Sequence, residues 1–181
     1  MAEQLLNQTL GGRYRFLALI GEGTYARVYR VLDTRRGVEL AAKVLRNDIA
    51  HESAFLERFR READVLHRLQ HPHIVRYYEI VETNGYVFIL LDYIAGDTLQ
   101  TYFYRRDNPL MPKETLPFLR PTCAALSYAH GEHIIHRDIK PANILLGDNG
   151  LVYLTDFGIA RLLTEVSTLT QDSAIGTPLY M

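Results

Sequence analysis

Between Arg13 and Leu45 apolar and polar positions alternate in three short runs, RYRFLALI, RVYRVLD and VELAAKVL, separated by the glycines of GEGTY and by TRRG. A period of two predicts strands with one buried face. From Glu52 to Leu69 the period lengthens: Leu56, Phe59, Ala63, Leu66 and Leu69 recur at spacings of three and four. That spacing predicts an amphipathic helix, closed by His71-Pro72. The runs IVRYYEIVE and YVFILLDY flank TNG at Thr83 to Gly85, and Asn84-Gly85 predicts a tight hairpin. After Ile94 the pattern turns helical through DTLQTYFYRR and again toward AALSYAHG, then gives two strand-like pieces, NILL and LVYLTDFG. The sum is an α+β chain in two lobes. An N-terminal extension, residues 1–12, precedes a five-stranded antiparallel sheet with one long helix, residues 13–94. A helix-rich part follows, residues 95–181.

Composition narrows the function classes. The 181 residues are 48% hydrophobic and 23% charged, which excludes a disordered or fibrous chain. A net charge of -1 leaves no electrostatic footprint for nucleic acid or an anionic membrane. No segment has the apolar length of a membrane span, and the first residues lack the pattern of a secretory leader, so a cytoplasmic protein is expected. The single Cys123 cannot form an internal disulfide and is expected as a small core residue.

The chemistry gathers in three places. GEGTYARV lies between two strands rather than between a strand and a helix, so its glycines form a flap whose backbone amides can approach phosphates, not a dinucleotide fold. Without other evidence, such a hairpin is only a turn. Lys43 shares a strand face with Ala41. Glu62 borders the apolar stripe of the helix, where an ionised carboxylate needs a cation. Both Lys43 and Arg58 are open to it, the second as a surface pair. In HIIHRDIKPANILL, polar groups sit between apolar shoulders, and DFG follows at Asp156 to Gly158. Phosphoryl transfer requires such a set: Asn143 and Asp156 as oxygen ligands for Mg²⁺, Asp138 to accept or orient the proton of an attacking hydroxyl, and Lys140 to stabilise charge on the moving phosphoryl group.

Taken in order, these motifs resemble the eukaryotic-type protein kinase catalytic domain from Tyr14 onward. GEGTYARV is similar to its glycine-rich loop, LAAKVL to the strand with the ATP lysine, FRREADVLHRL to the helix bearing its glutamate, HRDIKPAN to the catalytic loop and DFG to the metal motif. Lys140 and Thr177 resemble the serine/threonine branch, and the general appearance is bacterial. The resemblance implies a two-lobed kinase fold and a serine/threonine protein kinase that uses Mg²⁺ and ATP. Lys43 and Glu62 would join Asp138 and Lys140 as catalytic residues. Gly21 and Gly23 would face the phosphates. Ile20, Val28, Ala41, Leu91 and Leu145 would line the adenine pocket, with Asp92 to Ile94 bonding the base. The implied partner is a protein bearing Ser or Thr, with self-association or autophosphorylation as a further expectation. Arg137 would pair with a phosphate on RLLTEVSTLTQDSAI, first at Thr168 or Thr170, then at Thr164, Ser167 or Ser173.

The chain departs from the family in three ways. Ala26 stands at the third glycine of the loop. Pro117 and Pro121 fall where a long helix should run, so that helix is expected to start late or kink. Beyond GTPLYM the family continues with several helices, so the resemblance implies a catalytic domain cut within its activation segment, with an incomplete helical second lobe and poor activity. A nucleotide-binding regulatory module without transfer and a small-molecule phosphotransferase are the competing readings.

Overall fold

In the computed structural model, residues 5–23, 26–46, 56–57, 59–60, 63 and 66–157 are described. The chain divides into two units, one of Met1–His67 with Arg76–Tyr93 and the other of Arg68–Val75 with Ile94–Met181.

The first unit is built on an antiparallel sheet of six strands, in the order β1-β2-β3-β4-β6-β5. They are β1 (Thr9–Leu10), β2 (Tyr14–Glu22), β3 (Ala26–Asp33), β4 (Val38–Leu45), β5 (Tyr77–Thr83) and β6 (Tyr86–Asp92). The alternating runs predict five strands, and β1 is the sixth. It is too short to show a period. Leu5 and Leu10 are nevertheless buried with Tyr14, Phe16, Tyr29, Val31, Leu40, Ala42, Val44, Phe88 and Leu90. Each Leu, Val or Phe among them stabilises by about 1.5–3 kcal/mol on leaving water. Phe16 meets Tyr29 at 5.3 Å and Phe88 at 5.8 Å, both edge to face, a geometry aromatic quadrupoles favour. Asn84 and Gly85 take φ of 52° and 77°, as the hairpin signal requires. In the helical segment, Leu56, Glu57, Phe59, Arg60, Ala63 and Leu66 are helical where described, and Phe59, Ala63 and Leu66 are buried. Arg58 and Glu62 lie outside the described residues.

The second unit carries a three-stranded sheet, β7 (Gly96–Thr98), β8 (Ile144–Gly147) and β9 (Val152–Leu154), in that order. Two helices precede β8: α1 (Leu99–Tyr104) and α2 (Pro112–Gly131). Thr98 caps α1 by accepting from the Thr101 amide at 3.0 Å.

Two expectations are corrected on α2. Of the two outcomes expected from the prolines only the late start is excluded: the helix begins at Pro112 and passes through both interior prolines. Each proline removes a bond to the carbonyl four residues back, on Lys113 and on Pro117. Both of those residues are exposed, so solvent can take the place of the missing donor. Cys123 is exposed rather than in the core. The buried stripe of α2 is Thr122, Ala125 and Ala129, and Cys123 falls off that stripe. Among the described residues no helix is long and apolar enough to cross a membrane.

Candidate active site

The loop between α2 and β8 is held by its own polar groups. Asp138 Oδ2 accepts from Lys140 Nζ at 2.7 Å and from Asn143 Nδ2 at 2.9 Å. The same Asn143 amide nitrogen donates to the Asp138 carbonyl at 2.8 Å. Carboxylate, ammonium and amide therefore form one charge-assisted cluster. A short 3₁₀ turn, Pro141–Asn143, places Asn143 two residues after the fixed φ of Pro141. The Asn143 carbonyl then accepts from the Thr155 amide at 3.0 Å, which joins the loop to the residue before Asp156.

Beneath this cluster lies His136, 1% exposed. Its Nδ1 accepts from the Asp138 amide at 3.2 Å, and its Nε2 is 2.8 Å from the Thr155 carbonyl. One nitrogen must accept and the other must donate, so the ring is neutral with its proton on Nε2. Burial pushes the His136 pKa down, which agrees with that form. Phe157 packs on the ring at 4.5 Å. Arg137 and Asp156 take left-handed φ of 67° and 65°, a strained geometry for residues other than glycine that concentrates at functional positions.

On the first unit, register sets a row of the expected nucleotide residues side by side. Val28 lies opposite both Gly21 and Lys43, while Ala41 lies opposite Leu91. Opposed residues share a sheet face, so Gly21, Val28, Ala41, Lys43 and Leu91 present one face, and Tyr29, Ala42 and Leu90 turn to the core on the other. Two register shifts, between Phe16 and Ala18 and between Leu19 and Gly21, bend β2 just before its end. Ile20 is exposed there. The Gly23 amide donates to the Ala26 carbonyl at 2.9 Å, closing the glycine turn. In the second unit Leu145 pairs with Thr98 and Tyr153, and Ile94 is half-buried next to Gly147. The structure thus groups Asp138, Lys140 and Asn143 in one unit, and Gly21, Val28, Ala41, Lys43, Leu91 and Asp92 on one sheet in the other. Glu62, Gly158, Thr177 and the hydroxyls of residues 161–175 lie outside the described residues.

Residues 14–181 match the protein kinase domain family. The chain belongs to that family. It is 39% identical to serine/threonine-protein kinase PrkC of Bacillus subtilis over 177 residues, covering 98% of this chain and 27% of that protein. Against serine/threonine-protein kinase PknB of Mycolicibacterium smegmatis the identity is also 39%, covering 96% of this chain and 29% of the relative. The crystal structure of the Mycobacterium tuberculosis PknI kinase domain superimposes with a TM-score of 0.73 at 33% identity, covering 85% of this chain and 62% of that one. The chain therefore has the protein kinase fold and spans about a quarter of the length of the curated relatives it matches.

A kinase site needs a place for Mg²⁺ beside phosphate. Among the described residues no three His, Cys, Asp or Glu side chains gather into a metal cage. Mg²⁺ bound with phosphates asks instead for one or two protein oxygens. Asn143 and Asp156 fit that demand: with its nitrogen engaged by Asp138, the Asn143 amide has its oxygen as the end available to a cation.

The sequence reading assigned no role to His136 or Phe157. The sequence carried no signal for the histidine: Ile134 and Ile135 are both apolar, and the alternation in which Ile134 and His136 are buried while Ile135 and Arg137 are exposed appears only in the fold.

Proposed function

We propose that this chain carries the nucleotide-binding and catalytic groups of an ATP-dependent serine/threonine protein kinase, which transfers the γ-phosphoryl group of Mg-ATP to a protein hydroxyl. The observation that carries the reading is the Asp138 carboxylate held by Lys140 and Asn143. The names of the bacterial relatives support the serine/threonine assignment.

The hydroxyl oxygen of the substrate bonds to the γ-phosphorus as the bond to the bridging oxygen breaks, and ADP leaves with that electron pair. Asp138 accepts the hydroxyl proton. Lys140, already 2.7 Å from Asp138, faces the charge on the transferred group. Mg²⁺, held by Asn143 and Asp156, would neutralise the triphosphate. Lys43 pairs with phosphate oxygens, and the amides near Gly21 and Gly23 cover them. Ile20, Val28, Ala41 and Leu91 face the base, and the backbone of Asp92 to Ile94 bonds it.

Calorimetric titration with Mg-ATP tests the binding half: Lys43→Met and Asp156→Ala should each weaken it at least tenfold, and wild-type affinity in both would overturn the assignment. Transfer to a generic protein substrate tests the other half. Turnover that survives Asp138→Asn would remove Asp138 from the chemistry.

A further inference from the structure

Tyr78 sits where β5 leaves regular pairing. Tyr77 lies opposite Leu91 and Glu79 opposite Leu90, so Tyr78 is the additional residue of a bulge. A bulge interrupts the ladder and re-aims a side chain. Here the hydroxyl that it turns reaches Asp92 Oδ1 and donates to it at 2.6 Å, a short bond of the charge-assisted kind. Arg76 adds two contacts at the same point. Its carbonyl accepts from the Asp92 amide at 2.9 Å, and its guanidinium stands 5.2 Å from the Tyr78 ring. Burial, then the bond to Asp92, raise the Tyr78 pKa, so the phenol stays a donor.

Asp92 is the last residue of β6. Pairing resumes only at Gly96 in β7, and the Ala95 carbonyl accepts from the Asp148 amide at 2.8 Å, so Tyr93 and Ile94 lie between two anchors, of which Asp92 is the one on this sheet. Tyr93 has a separate hold, with the Arg30 guanidinium 5.7 Å from its ring.

We infer that Tyr78 is a positioning residue for adenine recognition: its bond to the Asp92 carboxylate fixes the backbone of Asp92 to Ile94, so that these peptide groups meet the base without first being ordered. The inference rests on the reading of Asp92 to Ile94 as the segment that bonds adenine. A preorganised segment binds more tightly because less freedom is lost on binding. A bulge that only stabilised the sheet would give up ladder pairing for one side-chain bond, whereas a bulge beside a binding segment is a known use of that irregularity.

The test uses the 181-residue chain as wild type, Tyr78→Phe, Asp92→Ala and the double variant, titrated with Mg-ATP and with adenosine. Each single change is expected to weaken both ligands by about fivefold, the scale of one net hydrogen bond. The double variant should be no weaker than the weaker single, because both remove the same bond. Adenosine carries no phosphate, so an equal factor for both ligands places the loss at the base. Urea unfolding midpoints run in parallel separate affinity from stability. A lower midpoint with unchanged affinity in Tyr78→Phe would make the bond merely structural and overturn the inference, as would additive losses. Amide exchange at Tyr93 and Ile94 gives a readout without ligand: it should quicken in Tyr78→Phe by about the same factor, and unchanged exchange would also overturn it. Failure of the wild type to bind either ligand overturns the kinase reading itself, and this inference with it. Binding by the wild type with no effect of Tyr78→Phe overturns the inference alone.

Discussion

Asp33 is fully buried, yet it is ionised. Arg13 donates to both of its oxygens, at 3.0 and 2.6 Å, and the amides of Arg35 and Arg36 donate to Oδ1 at 3.0 and 3.3 Å. The Arg13 bond, which outweighs the opposing cost of burial, holds the carboxyl below the usual carboxylate range. A depressed folded pKa adds stability that is fully present above the unfolded value of about 4 and is lost as pH falls through the folded one. Asp33→Asn should therefore flatten the loss of stability on acidification below about pH 4, measured as urea midpoints at pH 3 and pH 7. Asp33→Ala should cost about 2–3 kcal/mol at neutral pH, since it leaves the half-buried Arg13 guanidinium with only Glu79, at 3.3 Å, and takes the acceptor from the Arg35 and Arg36 amides. At this scale the polar cluster was legible in the sequence, because Asp138, Lys140 and Asn143 lie within six residues between apolar shoulders. It could not expose Tyr78. The partner of that hydroxyl is fourteen residues away, and the bulge that aims it leaves no trace in a pattern of apolar positions.

Elements were legible where a period ran long enough to count. The strands from Tyr14 to Leu45, the hairpin at Asn84-Gly85 and the buried stripe of Phe59, Ala63, Leu66 and Leu69 all follow from spacing alone. Strand β1 did not, since two residues cannot display a period, and neither did the first half of α2, because interior prolines argue against a helix and spacing does not show that the carbonyls they leave unpaired face solvent. Pro117 is exposed and Pro121 half-buried, and both carbonyls that lose a donor lie on exposed residues, which suggests a gain. Pro117→Ala and Pro121→Ala should each stabilise the second unit by about 1–2 kcal/mol, the restored bond being partly offset by the freer unfolded chain. A thermal midpoint that falls in both variants would show that the prolines fit the helix better than an interior position allows. Gly96 makes the opposite case. It has φ of 142°, and a Cβ there would overlap the Leu146 carbonyl, in the neighbouring strand of the β7–β8 pair. Gly96→Ala should destabilise by about 3 kcal/mol or more, through strain and overpacking together, with protection lost at the β8 amides in hydrogen exchange. A variant as stable as the wild type would show that β7 can move aside.

At the scale of the molecule, the chain does not finish one unit before starting the next. It enters the second unit at Arg68, returns to the first at Arg76 and leaves it again after Tyr93. The alternation of strands and helices along the sequence cannot reveal this, because residues 68–75 have no period of their own. Their ties are specific. Leu154 donates to the His73 carbonyl at 2.8 Å, and its own carbonyl accepts from Val75 at 3.0 Å. His73 Nδ1 meets the Val152 carbonyl at 2.9 Å, His71 stacks on Tyr128 at 5.2 Å, and Ile74 is buried. The segment thus extends the edge of β9 and packs on α2, both of which come later in the chain. A fragment of residues 94–181 lacks all of these partners: the Leu154 amide and carbonyl exchange their bonds for water, at about 0.5–1.5 kcal/mol each, and the burial of Ile74 is lost, at about 1.5–3 kcal/mol more. Against a typical total stability of about 5–15 kcal/mol, that loss should remove cooperative unfolding. The fragment is expected to give a broad, featureless thermal trace by circular dichroism, while the intact chain unfolds cooperatively. Ile74→Asp in the intact chain provides the matching point change. It places an unpaired carboxylate at the same edge and should strip exchange protection from Leu154 and Ile144 before it affects Leu90 or Phe88. Equal loss at all four amides would mean that the two units unfold as one.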